Sequence, residues 1–185
     1  MNTVSSIFFT FSRERRLWLY AFLMVMTIFS TLFLGRPFLV LLSNQDIQAA
    51  LFLGGMLLTG VVIVCYGIFT KPNKIDIILY VGIFTIYLLL FLRLGLPERS
   101  HLIEYSILTL CIHQILVERI KQGKTISYPL ILTFVITFFI GLIDECLQFF
   151  IPDRVFDTND IIFNGIVIFM AIGMSGLIQF FKKEK

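Results

Sequence analysis

Charge is what this sequence has least of. Asp, Glu, Lys and Arg make up 15% of its 185 residues, where soluble domains carry roughly 25%. That shortage, in a chain that is 58% hydrophobic, argues against a soluble module. Cysteine is scarce too. Cys65, Cys111 and Cys146 lie inside apolar runs and share no close spacing, which excludes a disulfide framework and a zinc pattern. Only two histidines occur, His101 and His113. A set built on His101 and carboxylates is a poor zinc set, so no metal and no cofactor is expected. The net charge of +3 sits in short basic clusters beside apolar runs, which is how topology signals look, and no nucleic-acid partner is expected. There is no internal repeat and no low-complexity linker.

What the sequence has in quantity is apolar runs long enough, at roughly 18–20 residues, to cross a bilayer. The fold class that follows is all-α, a polytopic transmembrane helical bundle of about six spans with a polar hairpin between the last two. Residues 1–16 form an N-terminal segment ending in Arg13, Glu14, Arg15 and Arg16. The first span, Leu17 to Leu34, has large side chains where a signal peptide would have its small-residue cleavage site, so it is expected to be retained. Gly35-Arg36-Pro37 is expected to break it. A second span runs from about Ala49 to Phe69, and a third from Ile75 to Leu92. Arg93 to Ser100 reads as a short loop, with Ser100 a candidate cap for the fourth span, His101 to Val117. That span is polar enough to be either packed inside the bundle or laid at the interface. The fifth opens at Pro129, a residue well placed at a helix start, and runs to about Phe150. The sixth runs from about Asp160 to Phe181, leaving a tail of 182–185.

With six spans both termini share a side. That side collects eleven of the fifteen Lys and Arg residues, the other four. The positive-inside rule then places both termini in the cytoplasm of a multi-pass plasma-membrane protein. The hairpin of 141–165 and the start of the fourth span face outward.

That hairpin, GLIDECLQFFIPDRVFDTNDIIFNG, holds five of the twelve acidic residues. Charges set among apolar runs need a partner or a task. Glu145 and Gln148 are three apart and share a helix face. They lie roughly 25 Å along the helix from Pro129 at about 1.5 Å per residue, near the outer end of the bilayer core. Asp157, Asp160 and Asn164 line one face if the last helix begins early. Upstream, His101 and Tyr105 are four apart, with Glu104 beside them. Arg154 is the only basic residue inside the hairpin. It either pairs with the carboxylates around it or grips a phosphate or carboxylate. Each residue also has a plainer reading. Asp157 or Thr158 caps the last helix, with Asp160 favoured in its first turn. His101 is an interfacial histidine, Glu145 and Arg154 a structural ion pair, and His113 a structural residue of the inner half. The functional reading rests on convergence at one depth.

These residues resemble the VanZ-like family of small bacterial membrane proteins, named for a teicoplanin-resistance protein. The family pattern is a Glu, a Gln three later, Pro-Gly-Arg, then Asp, Asp, and Asn-Gly. Glu145, Gln148, Pro152, Arg154, Asp157, Asp160 and Asn164 stand in those places. His101, Glu104, Tyr105 and Leu108 meet an upstream signature of His, a polar residue, Tyr and leucines. The likeness covers roughly 100–181, and residues 17–99 carry no matching signature. Asp153 stands where the family commonly has Gly, and so does Val167. The resemblance implies a place in the bacterial cell envelope and reduced susceptibility to lipoglycopeptides such as teicoplanin. The expected partners are membrane lipids and a cell-wall precursor or the lipoglycopeptide itself. Two other classes stay open. One is an intramembrane enzyme acting on a lipid-linked substrate, with His101 as general base and Glu145 or Asp160 as acid. The other is a proton-relaying transporter, disfavoured because no polar path crosses to the inner half.

Overall fold

The computed structural model describes residues 12–42, 44, 46–47, 73–151 and 156–183. The expected second span, 49–69, lies outside the described residues. The described chain forms five helices and no strand. They are α1 (Ser12–Leu42), α2 (Lys74–Arg93), α3 (Leu96–Lys121), α4 (Pro129–Gln148) and α5 (Thr158–Lys183). All five contain a segment long and apolar enough to cross a membrane.

Besides shifts at other helix ends, such as α1 opening at Ser12 and α3 closing at Lys121, three boundaries depart from expectation. Helix α1 does not stop at Gly35-Arg36-Pro37 but continues to Leu42. An interior proline loses one backbone hydrogen bond. That loss does not end the helix here, which carries on past Pro37. Helix α3 starts at Leu96, so the expected loop at Arg93 to Ser100 shrinks to Leu94 and Gly95. Pro97 falls in the first turn, where its missing N–H costs nothing, and Ser100 therefore sits inside the helix and caps nothing. The third departure is at α5, which opens at Thr158, two residues before the expected start.

The described residues fall into two compact units. One holds α1 up to Leu32 together with α3, α4 and α5, and the other holds the rest of α1 and α2. Helix α2 has no buried residue along its 20, the pattern of a helix whose side chains face hydrocarbon on most sides.

In the first unit α3, α4 and α5 pack pairwise against one another. Helix α3 is the central one. Leu102, Tyr105, Leu108, Thr109, His113 and Ile115 are at most 2% exposed, which settles the polar fourth span as packed inside the bundle. Its hydroxyls do not pull it apart, since Thr109 bonds back to the Tyr105 carbonyl. Helix α4 presents a stripe of small and polar residues, Thr133, Thr137, Gly141, Asp144, Glu145 and Gln148. Lipid-embedded helices gain nothing by hiding apolar surface from lipid, so they associate through small residues that let backbones approach. Thr133 and Thr137 satisfy their own hydroxyls on the carbonyls four residues back, at 2.8 and 2.9 Å. Gly141 is where the Tyr105 ring comes in, because a Cβ there would lie 3.1 Å from it. Helix α5 contributes Asn164, Val167, Ile168, Ala171 and Ser175, and a Cβ on its Gly165 would lie 3.4 Å from Phe138 of α4.

At the opposite end of α3 two ion pairs tie in α1. Arg119 Nε donates to Glu14 Oε1 at 2.8 Å, and Arg13 lies 3.6 Å from Glu118. Arg119 also stacks over Trp18, 5.6 Å from the ring centre. The start of α1 therefore meets the end of α3.

Candidate functional site

The start of α3, the end of α4 and the start of α5 lie at one end of this unit, and each brings polar side chains there. From α3 come His101, four residues from Tyr105 and so directly above it on the helix. Their rings stack with centres 5.8 Å apart and planes 11° from parallel. From α4 come Asp144 and Glu145, 2% and 0% exposed. The Tyr105 hydroxyl donates to Asp144 Oδ2 at 3.1 Å, joining the two helices. Glu145 Oε1 accepts from Gln148 Nε2 at 3.0 Å, the three-residue pairing that the spacing predicts. One ligand atom each of His101, Asp144 and Glu145 lies within 4.8 Å of the others.

From α5 comes charge of the same sign. The carboxylates of Asp160, Asp144 and Asp157 all act on Glu145, and the backbone N–H of Asp157 is turned toward it. Asp160 is half-buried. Asp157 is exposed and caps the helix, its Oδ1 accepting from the Asn159 N–H at 2.8 Å. That is the plainer of its two readings, although its charge still reaches the cluster. Asn164 is 1% exposed, and neither side-chain polar atom makes a hydrogen bond. The Gly165–Phe138 contact sets the register of the antiparallel pair α4 and α5. It puts Asn164 within a turn of Gly141, the depth of the Tyr105 ring.

Of the residues singled out in the sequence, the structure thus brings together His101, Tyr105, Glu145 and Gln148, with Asp157 and Asp160 at the rim. Glu104 is buried beside them, 8% exposed, and its charge acts on Tyr105. Arg154 and Pro152 lie outside the described residues. His113 is buried in the C-terminal half of α3, apart from the cluster. The residue left out of the expected site is Asp144. The signal was available in α4: positions 133, 137, 141, 144, 145 and 148 recur at three- and four-residue steps, and Asp144 belongs to that stripe as fully as Glu145 does.

A second feature lies on the outside of the α4–α5 pair. A groove lined by Phe134, Phe138, Ile162, Ile166 and Phe169 is almost wholly apolar. It starts at Ile161, next to Asp160.

No protein-family model, curated protein or solved structure matches the chain.

Proposed function

We propose that this is an integral membrane protein of the bacterial cell envelope whose buried polar cluster binds the polar head group of a lipid or lipid-linked cell-wall precursor. The observation that carries the reading is a convergence from two helices: ligand atoms of His101, Asp144 and Glu145 lie within 4.8 Å of one another, and the Tyr105 hydroxyl donates to Asp144. A bundle held by small residues and packing does not need such groups, and burying them costs free energy unless they are used. The apolar groove beside Asp160 suits a hydrocarbon chain whose head group reaches the cluster. The likeness to the VanZ-like family supplies the consequence, lowered susceptibility to teicoplanin.

Six crossings with both termini cytoplasmic go with this reading. Glu14 pairs with Arg119, so α1 leaves the membrane on the side where α3 enters it. An even number of crossings must separate them. Helix α2 supplies one, and the apolar run of 49–69 supplies the other. The eleven-to-four distribution of basic residues then turns the cluster toward the outer leaflet.

The test is complementation in a deletion strain. Deletion is expected to raise teicoplanin susceptibility, and the wild-type gene to restore resistance. Glu145→Ala and Arg154→Ala, present in the membrane at wild-type levels, are expected not to restore it. Full complementation by both variants would remove the proposed site. Turnover of envelope lipids by the purified protein, lost in His101→Ala, would move the reading to the enzyme class.

A further inference from the structure

The geometry points to a metal site: His101, Asp144 and Glu145 together bind one divalent first-row metal ion, of the class that accepts imidazole nitrogen and carboxylate oxygen in one coordination sphere. The sequence reading set a metal aside because His101 has no second histidine. The fold changes the donor set by adding Asp144, which gives one nitrogen and two carboxylate donors from two packed helices.

Three features carry this beyond a cluster of acids. The donor atoms already lie within 4.8 Å of one another. A tetrahedral ion with bonds of about 2.0–2.1 Å wants its donors roughly 3.4 Å apart, so closing the site takes side-chain rotation of about an ångström. Next, each carboxylate has one oxygen held by a neighbour. Tyr105 holds Asp144 Oδ2 and Gln148 holds Glu145 Oε1. Fixing one oxygen to aim the other is how proteins orient metal-binding carboxylates. Finally, Glu145 is wholly buried, its Oε2 makes no hydrogen bond, and among the described residues the charged groups acting on it are the carboxylates of Asp160, Asp144 and Asp157. Among the described residues no positive charge acts on it, and a cation where the other two donors converge supplies one.

Three protein donors leave a coordination position open, as in metal sites that take a ligand or substrate. A bare carboxylate cluster repels a phosphate-bearing head group, whereas a metal in it offers the phosphate a positive partner. That last step rests on the proposed function; the metal site itself does not.

The experiment uses the full-length protein purified in detergent, stripped with chelator and titrated with Zn²⁺ alone. Metal content and calorimetry are expected to give one ion per chain. Binding is expected to weaken at least tenfold in Glu145→Gln and in His101→Ala, and to stay unchanged in Glu118→Gln at the other end of α3. Co²⁺ loaded into the same protein reports the coordination by its visible absorption, and His101→Ala is expected to alter that spectrum. Should the variants fail to fold, the wild type decides alone. No Zn²⁺ uptake at micromolar concentrations, or a Co²⁺ spectrum identical to that of the hexa-aquo ion, overturns the site. Zinc bound equally well by Glu145→Gln and His101→Ala overturns it too. A wild-type protein that binds zinc but fails to complement the deletion strain keeps the metal site and sinks the envelope reading.

Discussion

Arg119→Ala is expected to destabilise the protein by about 2–3 kcal/mol, measured by denaturation in mixed micelles. The reason lies with Glu14, which is 2% exposed and accepts from Arg119 at 2.8 Å. Truncating one member of a buried ion pair leaves the other uncompensated, which costs about 3–5 kcal/mol. The lower figure applies because the Arg119 side chain is 37% exposed, so truncating it opens a path for water to the otherwise buried Glu14. The loss of the Trp18 contact adds about 0.5–1 kcal/mol at such a site. Glu14→Gln should cost less than Arg119→Ala, because it removes the buried charge instead of stranding it. In the double variant Glu14→Gln/Arg119→Ala, the cost should fall below the sum of the two singles. Additive costs would mean that the two side chains do not meet, and the contact between the start of α1 and the end of α3 would lose its anchor.

The second expected result concerns the seam between α3 and α4. Tyr105→Phe removes one oxygen from a ring that is 0% exposed and takes from Asp144 its 3.1 Å donor. Hydrogen bonds between membrane helices are worth about 0.6 kcal/mol on average and up to about 1.7, and those to a charged acceptor stand at the upper end. The expected loss is therefore about 1.5 kcal/mol, with the ring still filling its place against Gly141. The change should also lower function in the complementation assay by more than its stability cost explains, because Asp144 loses the group that orients it. A Tyr105→Phe protein as stable and as active as the wild type would make the hydroxyl irrelevant.

How much of this was legible in the sequence depends on which residues had to find each other. Helix α4 was the clearest, with Pro129 at its start, because that signal is local; it ends at Gln148, short of the expected Phe150. The Glu145–Gln148 bond is local as well, set by helical spacing alone. The course of α1 through Pro37 was not, because the rule that proline ends a helix is learned in water. The start of α3 was missed for a related reason: Pro97 looks like loop sequence but suits a first helical turn. The contact between Tyr105 and Asp144 spans 39 positions, and that between Glu14 and Arg119 spans 105. No periodicity within one helix says which face meets which neighbour. The sequence showed that polar groups gather at one depth; only packing showed that Asp144 turns inward to Tyr105 and so completes a donor set with His101 and Glu145.

The convergence of α3 and α4 at that end is tested most directly by cross-linking. In a background without Cys65, Cys111 and Cys146, His101→Cys and Glu145→Cys are combined and treated with a short bifunctional thiol reagent. Cleavage in the 122–128 loop then reads whether the two helices stay joined. The pair is expected to link efficiently. The control pair Ile103→Cys with Glu145→Cys is expected not to, since Ile103 points away and is 46% exposed. Linkage through Ile103→Cys in place of His101→Cys would mean that α3 turns another face to α4, and the site described above would not exist.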